Sequence, residues 1–363
     1  MSSSSDDFRP GLEGVVAFET EIAEPDREGG ALRYRGVDIE ELVGRVPFEQ
    51  VWGLLVDEAL EPGLPAAYVE LPVRTGGYMS DLQASLAVLG GRWGMKQLID
   101  IDAKQARDDL ARLSAATLSI VAQSARGEGT PVPESEVMEG ATAAERFLVA
   151  WRGEVDPRHA KAIDTYWICT AEHGLNASTF TARVVASTGA DCAATLTSAV
   201  GALSGPLHGG APARVLPMLD AVAELGDAER WVREALARGE RIMGFGHRVY
   251  RAEDPRARLL RKTARELGSP RVEVAEALEE AALKALSERH PERVLATNVE
   301  FWSAVVLDVA EIPPSLAPAM FACSRTAGWS AHTLEQKSML PRGLVRPSAR
   351  YVGPGERSLS QLG

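Results

Sequence analysis

The chain has 363 residues, 45% of them hydrophobic and 25% charged, which is ordinary for a soluble globular protein. This length predicts about two domains with a sizeable core. The formal net charge of -12 argues against nucleic acid or an anionic membrane as a bulk partner. No apolar run reaches the roughly 18 residues that span a bilayer, and the N-terminus has no signal-peptide pattern. We therefore expect neither a nucleic-acid nor a membrane partner.

The three cysteines, Cys169, Cys192 and Cys323, lie far apart in the chain. No CxxC pair or Cys/His cluster accompanies them, so the pattern indicates neither a disulfide framework nor a zinc site. Such sparse use of cysteine is typical of a reducing compartment. We expect a cytoplasmic protein without a bound metal.

Strand-like alternation is confined to residues 11–43. There "VVAFETEI" and "ALRYRG" flank the turn-rich "AEPDREGG", and this order predicts a small N-terminal β-hairpin. Helical periodicity dominates the rest of the chain, in segments bounded by Gly, Pro or a polar cap. These segments are "DDLARLSAATLSIVAQSAR", "TAAERFLVAW", "DPRHAKAIDTYWICTAEH", "STFTARVVAST", "ADCAATLTSAVGAL", "DAERWVREALARG", "DPRARLLRKTAREL" and "RVEVAEALEEAALKALSER". The sequence therefore predicts a mainly α protein.

Two turn-rich points divide the helical part of the chain. They lie at Gly205-Pro206 and at "IPPSLAP", residues 312–318, and the helices between them are more charged and amphipathic. We predict a large helical domain of residues 10–209 and 311–355, interrupted by a small helical domain of residues 210–310. The polar ends, residues 1–9 and 356–363, are expected to be flexible. A cleft between two such domains is a favoured ligand site.

Two basic segments stand out in this acidic chain. Residues 241–262 hold seven Lys/Arg against two acids, and residues 325–350 hold five against one. Such islands are suited to gathering a compact polyanion, although a solvated basic face explains the charge equally well.

Three of the six histidines lie beside glycine: His173 in "EHGLNAS", His208 in "PLHGGAP" and His247 in "GFGHRVY". Glycine lets a ligand or a backbone approach closely. A helix predicted to begin after His208, with Pro212 in its first turn, would keep this imidazole neutral and able to donate to an enolate oxygen. His173 precedes a predicted helix capped by Asn176 or Ser178, where an anion would be favoured.

Long motifs in this order resemble the citrate synthase family, most of all its shorter bacterial branch, which includes 2-methylcitrate synthases. The motifs are "GLEGVVAFETEI...LRYRGVDIEEL", "EHGLNASTFTARVVAST", "PLHGGAPARVLPML", "GFGHRVYRAEDPRA" and "VRPSARYVGP". The resemblance covers about residues 10–355. It implies a two-domain helical acyltransferase that acts as a homodimer. Its reaction would join acetyl-CoA to oxaloacetate and water, giving citrate and CoA without a metal or redox cofactor.

The resemblance also implies roles for three histidines. His208 matches the residue that hydrogen-bonds the thioester oxygen as the enol forms. His247 matches the residue that polarises the oxaloacetate ketone, and His173 matches one that holds oxaloacetate.

Four arginines match family positions that bind anions. Arg256 and Arg325 match arginines that clamp the oxaloacetate carboxylates, and Arg346 matches one that reaches into the neighbouring subunit's site. Arg251 resembles an arginine near the CoA phosphates. Arginine suits these roles because its planar fork pairs two carboxylate oxygens at once.

The segment "TNVEFWSAVVLD" departs from the family pattern. The family's catalytic base is an aspartate after Asn-Val, whereas this chain has Glu300 there, with Trp302 and Ala304 as altered flanks. One added methylene lengthens the side chain by roughly 1.5 Å, and a misplacement of about 1 Å can lower a rate by roughly 10²-fold. Glu300 either faces water from the edge of a helix or is held half-buried as a base. We hypothesise that it is the base.

Two alternatives to citrate formation stay open. An enzyme of the same class could use propionyl-CoA and make 2-methylcitrate, because one methyl group changes discrimination by only about 1–3 kcal/mol. A weakly catalytic binding or regulatory relative is the other alternative, and the exchange of Asp for Glu is the main feature in its favour.

Overall fold

The computed structural model describes residues 8–12, 14–26, 28, 30–209, 214–246, 250, 253–292 and 295–361. Across these ranges the protein is mainly helical, as the sequence predicts. Its α-helices are α1 (Ile39–Leu42), α2 (Phe48–Asp57), α3 (Tyr78–Arg92), α4 (Ala103–Arg126), α5 (Glu134–Val137), α6 (Ala143–Arg152), α7 (Pro157–Thr170), α8 (Ala177–Ser187), α9 (Cys192–Leu203), α10 (Val215–Leu225), α11 (Ala228–Ala237), α12 (Pro255–Glu266), α13 (Val272–Arg289), α14 (Val299–Val309) and α15 (Ala317–Ser338).

The N-terminal hairpin is confirmed, but it is shorter than predicted and part of a larger sheet. Strand β1 (Ala23–Pro25) pairs antiparallel with β2 (Leu32–Tyr34), and β3 (Val37–Asp38) adds to the other edge of β2. The prediction that the first strand begins at Val15 was wrong. Val16 is 87% exposed, so the alternation there is not matched by a buried face.

Helix α15 forms the centre of the core. It packs against α2, α4, α7 and α8, and it is buried on nearly all sides, including polar residues such as Arg325 and His332. Fully buried tryptophans on three of these helices, Trp52 of α2, Trp167 of α7 and Trp329 of α15, add to this core.

Side-chain caps set the starts of many helices. Thr142 and Glu145 form a capping box at α6, and Asn176 caps α8 by accepting from the Thr179 N–H at 3.1 Å. Helices α7 and α12 both begin with Asp-Pro-Arg, in which Asp156 or Asp254 is the cap and proline occupies the first helical position. The predicted starts of α6, α7, α8, α11 and α12 lie within one residue of the observed starts, whereas α4 begins at Ala103, five residues before the predicted start at Asp108.

Helix α14 packs against α7, α10 and α12, and α11 packs against α13. Among the described helices, none is long and apolar enough to cross a membrane. The division into a large domain (10–209 and 311–355) and a small domain (210–310) stays a prediction.

Candidate active site

A cavity of about 160 Å³ lies where α7, α8, α12, α14 and α15 meet. Four residues singled out in the sequence line it together with Glu300. These are His173, His208, Arg256 and Arg325. The remaining lining residues are Tyr166, Thr170, Asn176, Val299, Ser303 and Phe321. Residues from four separate sequence motifs are thus brought to one small space.

Glu300 is the second residue of α14 and is half-buried at the cavity wall. Its backbone N–H donates to the capping Asn298 Oδ1 at 3.0 Å, which fixes the start of the helix. Burial raises the pKa of the Glu300 carboxyl above its ordinary value, and the Asp254 carboxylate adds to this, while Arg256 and Arg241 oppose it. The residue therefore faces the cavity as a carboxylate of increased basicity.

Trp302 and Ala304, the two neighbours of Glu300 that differ from the family pattern, do not face the cavity. Trp302 is fully buried and donates through Nε1 to Glu279 of α13 at 3.1 Å, and Ala304 is also buried. Neither residue lines the cavity. Their identities therefore reflect packing of α14 and not contact with a ligand in this cavity.

His208 lies in the turn after α9, with Nε2 against Ser178 of α8. The Ser178 N–H lies 3.4 Å and its Oγ 2.9 Å from Nε2. Because a backbone N–H only donates, Nε2 carries the lone pair and the neutral ring holds its proton on Nδ1. Burial, with a smaller contribution from the Arg325 charge, lowers the pKa of His208 to about 4.

The neutral state of His208 was expected, but the expected cause was different. The next described helix, α10, begins only at Val215, and Pro212 lies outside the described residues. Desolvation and Arg325 account for the lowered pKa here, whereas the sequence argument used a helix N-terminus.

His173 is half-buried just before α8 and lines the same cavity. Its Nε2 lies 3.0 Å from the hydroxyl of Tyr250, and the two rings meet edge to face with centroids 5.3 Å apart. The ring orientation is therefore set before any ligand arrives.

Arg325 of α15 is a buried cation without an ion pair among the described residues. Its side chain is 1% exposed, its Nε donates to the Thr170 carbonyl at 2.9 Å, and its Nη1 has no hydrogen-bond partner in the described part of the chain. The guanidinium also stacks on Phe321, with Cζ 4.6 Å from the ring centroid. Burial lowers the pKa of Arg325, because desolvation penalises the charged form. A buried, incompletely bonded guanidinium at a cavity wall favours an anionic ligand.

Arg256 is also buried at the cavity, but its charge is compensated. Its Nε and Nη2 donate to the two oxygens of Asp254 at 2.9 and 2.8 Å. Burial alone would lower the pKa of Arg256, and the Asp254 carboxylate outweighs this and raises it. Asp254 also accepts from the Arg256 N–H at 3.0 Å and from the Val299 N–H at 3.0 Å.

A second buried carboxylate, Glu172, lies next to His173 in the chain and is fully buried. Its Oε1 lies 3.4 Å from His332 Nε2. The Nδ1 of His332 accepts from Arg183 at 3.1 Å, so the ring proton is on Nε2, facing Glu172. Helix α15 comes so close to this carboxylate that a Cβ placed on Gly328 would lie 1.8 Å from Glu172 Oε2.

Three predicted site residues are not part of this cavity as described. His247 and Arg251 lie outside the described residues. Arg346 is exposed in the extended segment after α15 and does not line the cavity. Sequence reasoning missed the contact of Ser178 with His208 and the pairing of Asp254 with Arg256; the Asp-Pro-Arg cap was the available signal for the second.

The cavity brings a carboxylate, imidazoles and two guanidinium groups together in a helical fold, a combination suited to acid–base chemistry on an anionic ligand. The family model described as "Citrate synthase, C-terminal domain" matches residues 11–348. A Mycobacterium tuberculosis relative named "Putative citrate synthase 2" is 62% identical over 99% of this chain and 96% of its own length. The 2-methylcitrate synthase of Shewanella oneidensis is 31% identical over 96% of each chain.

Among solved structures, citrate synthase of Thermoplasma acidophilum in ternary complex with carboxymethyl coenzyme A and oxaloacetate has a TM-score of 0.80 to this chain. It is 26% identical, over 97% of this chain and 98% of that one. The chain belongs to the citrate synthase family and is an acyltransferase of that family's type.

Proposed function

We propose that the protein condenses acetyl-CoA with oxaloacetate and water to give citrate and CoA. Glu300 takes a proton from the acetyl methyl group while the Nδ1–H of His208 donates to the thioester oxygen. The enol carbon then bonds to the ketone carbon of oxaloacetate, whose oxygen gains a proton. Water finally cleaves the thioester and releases CoA.

The observation that carries this proposal is that three groups line one cavity: the half-buried carboxylate of Glu300, the neutral imidazole of His208 and the guanidinium of Arg325, which has no ion pair with any described residue. A thioester methyl is far less acidic than a carboxylic acid, so the base needs a raised pKa and the enolate needs a donor. One well-aimed donor contributes about 10²–10³ in rate. Both requirements are supported by the burial of these groups.

The two arginines would bind the oxaloacetate carboxylates, with His173 as a third contact. Arg325 offers Nη1, which has no partner, and ligand binding would satisfy it. The assignment of His247 to the oxaloacetate ketone rests on the family resemblance alone. Acid, base and hydrogen bonds suffice for this chemistry, so the proposal includes no metal or redox cofactor.

A thiol-release assay with acetyl-CoA and oxaloacetate tests the proposal. We expect CoA release that depends on both substrates and equimolar citrate. The absence of thiol release at high enzyme concentration would reject the proposal and favour the weakly catalytic binding relative.

A second candidate substrate is propionyl-CoA, which the similarity to the Shewanella 2-methylcitrate synthase favours. The ratio of kcat/KM for acetyl-CoA to kcat/KM for propionyl-CoA decides between the two. A ratio above one supports citrate formation, and a ratio below one supports 2-methylcitrate formation.

The proposed active form is a homodimer in which Arg346 reaches the neighbouring subunit's site. Arg346 is exposed in the extended segment after α15, away from the cavity of its own chain, so its guanidinium is available to a second chain. This exposure supports the proposed dimer. We also propose a cytoplasmic location, in keeping with three buried cysteines that form no disulfide.

A further inference from the structure

The chain uses the same helix-start motif, Asp-Pro-Arg, in two different ways. At α7, Asp156 accepts from the Arg158 N–H at 2.7 Å, and the Arg158 guanidinium turns away to donate to the Leu267 carbonyl at 2.6 Å. At α12, the guanidinium of Arg256 folds back onto its own cap, Asp254. Capping therefore does not by itself require the paired geometry at α12.

Asp254 also joins a third segment that is distant in sequence. Its Oδ2 accepts from the N–H of Val299, the first residue of α14, at 3.0 Å. The carboxylate is 1% exposed, so these contacts are shielded from water. One side chain thus holds the start of α12, the guanidinium of Arg256 and the start of α14, which carries Glu300.

We propose that Asp254 is a positioning residue, whose carboxylate fixes the proposed base Glu300 relative to the oxaloacetate-binding guanidinium of Arg256. This inference rests on the proposed function. Condensation requires reacting carbons within about 3–3.5 Å, and a misplacement of about 1 Å lowers the rate by roughly 10²-fold. A shared buried carboxylate is a short and rigid means of setting the separation between base and substrate anchor.

The variant Val299→Pro tests the link without changing any charge. It removes the backbone N–H that Asp254 accepts from α14 and also replaces the valine side chain that lines the cavity, so it is compared with a second variant at the same position. Proline fits this position, because it already occupies the first turn of α7 and α12 and because Asn298 is extended (φ −101°, ψ 173°), as a residue before proline should be. Val299→Ala, which keeps the N–H but trims the side chain that lines the cavity, is the reference.

Relative to Val299→Ala, we expect kcat of Val299→Pro to be roughly tenfold lower, because the first turn of α14 loses its anchor. The melting temperature and the Kd for oxaloacetate, read by calorimetry, should agree between the two variants. Equal kcat values for the two variants would overturn the proposal, as would a loss of kcat explained by a lower melting temperature.

The pH–rate profile of Asp254→Asn separates positioning from simple capping. Charged or titratable groups near Glu300 on the elements around it are Asp254 and Arg256 (α12), Arg241 (the segment before α12), Arg325 (α15), Tyr166 (α7), and His173 and His208 in the adjoining turns. Without the Asp254 carboxylate, which raises the pKa of Glu300 while Arg256 lowers it, the acidic limb of kcat/KM should move to lower pH and the Kd for oxaloacetate should change. Asp156→Asn changes the equivalent cap at α7 and should shift neither the acidic limb of kcat/KM nor the Kd for oxaloacetate.

An unshifted acidic limb in a folded Asp254→Asn protein would reject the assignment. If that variant does not fold, the comparison of Val299→Pro with Val299→Ala still decides. Failure of the proposed function is a separate result, because the unaltered protein would then release no CoA.

Discussion

Replacing Arg325 by methionine should weaken function without weakening the fold. The wild-type guanidinium is 1% exposed, has no ion pair among the described residues and leaves Nη1 without a partner. Replacing even a buried ion pair by apolar residues of similar volume is often neutral or stabilising by about 1–4 kcal/mol, and a guanidinium without an ion pair has the desolvation cost without the compensating attraction. Against this stand the hydrogen bond to Thr170 and the stacking on Phe321, together worth about 2–3 kcal/mol. The free energy of unfolding without ligand should therefore stay within about 2 kcal/mol of wild type.

Stabilisation by oxaloacetate should distinguish the wild type from Arg325→Met. At a ligand concentration of about 100 Kd, binding adds about 2.7 kcal/mol to the stability of the wild type. Arg325→Met should gain almost none at that concentration, because the proposed carboxylate partner is missing. Calorimetric unfolding with and without oxaloacetate measures both quantities in one experiment.

Arg183→Met is the control for this prediction. Arg183 is equally buried, but it pairs with Glu335 and donates to His332, so its removal leaves a carboxylate unpaired. We expect a loss of about 3 kcal/mol without ligand. The reasoning about Arg325 would be refuted if Arg325→Met were destabilised as strongly as Arg183→Met, or if oxaloacetate stabilised it as much as the wild type.

Three further outcomes are expected. Glu300→Gln should lower citrate formation by about 10²–10⁴-fold while leaving oxaloacetate stabilisation intact, as read by thiol release and calorimetry; near-wild-type turnover would exclude Glu300 as the base. Burial raises the pKa of Asp164 to about 7, so the folded state binds an extra proton between about pH 4 and 7 and stability falls as pH rises through that window. Asp164→Asn should remove this penalty of at most about 4 kcal/mol at pH 8 in urea unfolding, with little effect at pH 4; equal effects at both pH values would contradict the assignment. Inactive Glu300→Gln and Arg346→Ala chains, mixed in equal amounts under exchange conditions, should recover about a quarter of wild-type activity. About half of the dimers are then hybrids, and one of the two sites in each hybrid is intact. No recovery would argue against a shared site.

The helices could be predicted because their signals are local. Asp-Pro at Asp254 and the basic end of its segment place α12 within a residue of its observed bounds. The first strand could not be predicted correctly, because the alternation at Val15 and Val16 does not show whether another part of the fold covers one face of that segment. Strand formation depends on such distant partners more than helix formation does.

The candidate site divides in the same way. His173, His208 and Glu300 could be singled out from glycine neighbours, family motifs and an acid among aromatics. The bond from Val299 to Asp254 joins residues 45 positions apart, and no local pattern encodes it. The family resemblance singled out Arg325 as a carboxylate-binding residue, but its burial without an ion pair among the described residues depends on the whole fold and is not encoded locally.

Gly328 lies in α15, the longest core helix after α4, and the space beside it limits which residue can replace it. A protein engineer seeking a more heat-resistant variant would replace a mid-helix glycine by alanine and hope to gain about 0.5–1 kcal/mol. Here the new methyl group would collide with Glu172, and the displaced carboxylate would disturb the pocket from behind. The absence of a side chain at this position therefore makes room for the buried carboxylate of Glu172, the residue before the cavity-lining His173.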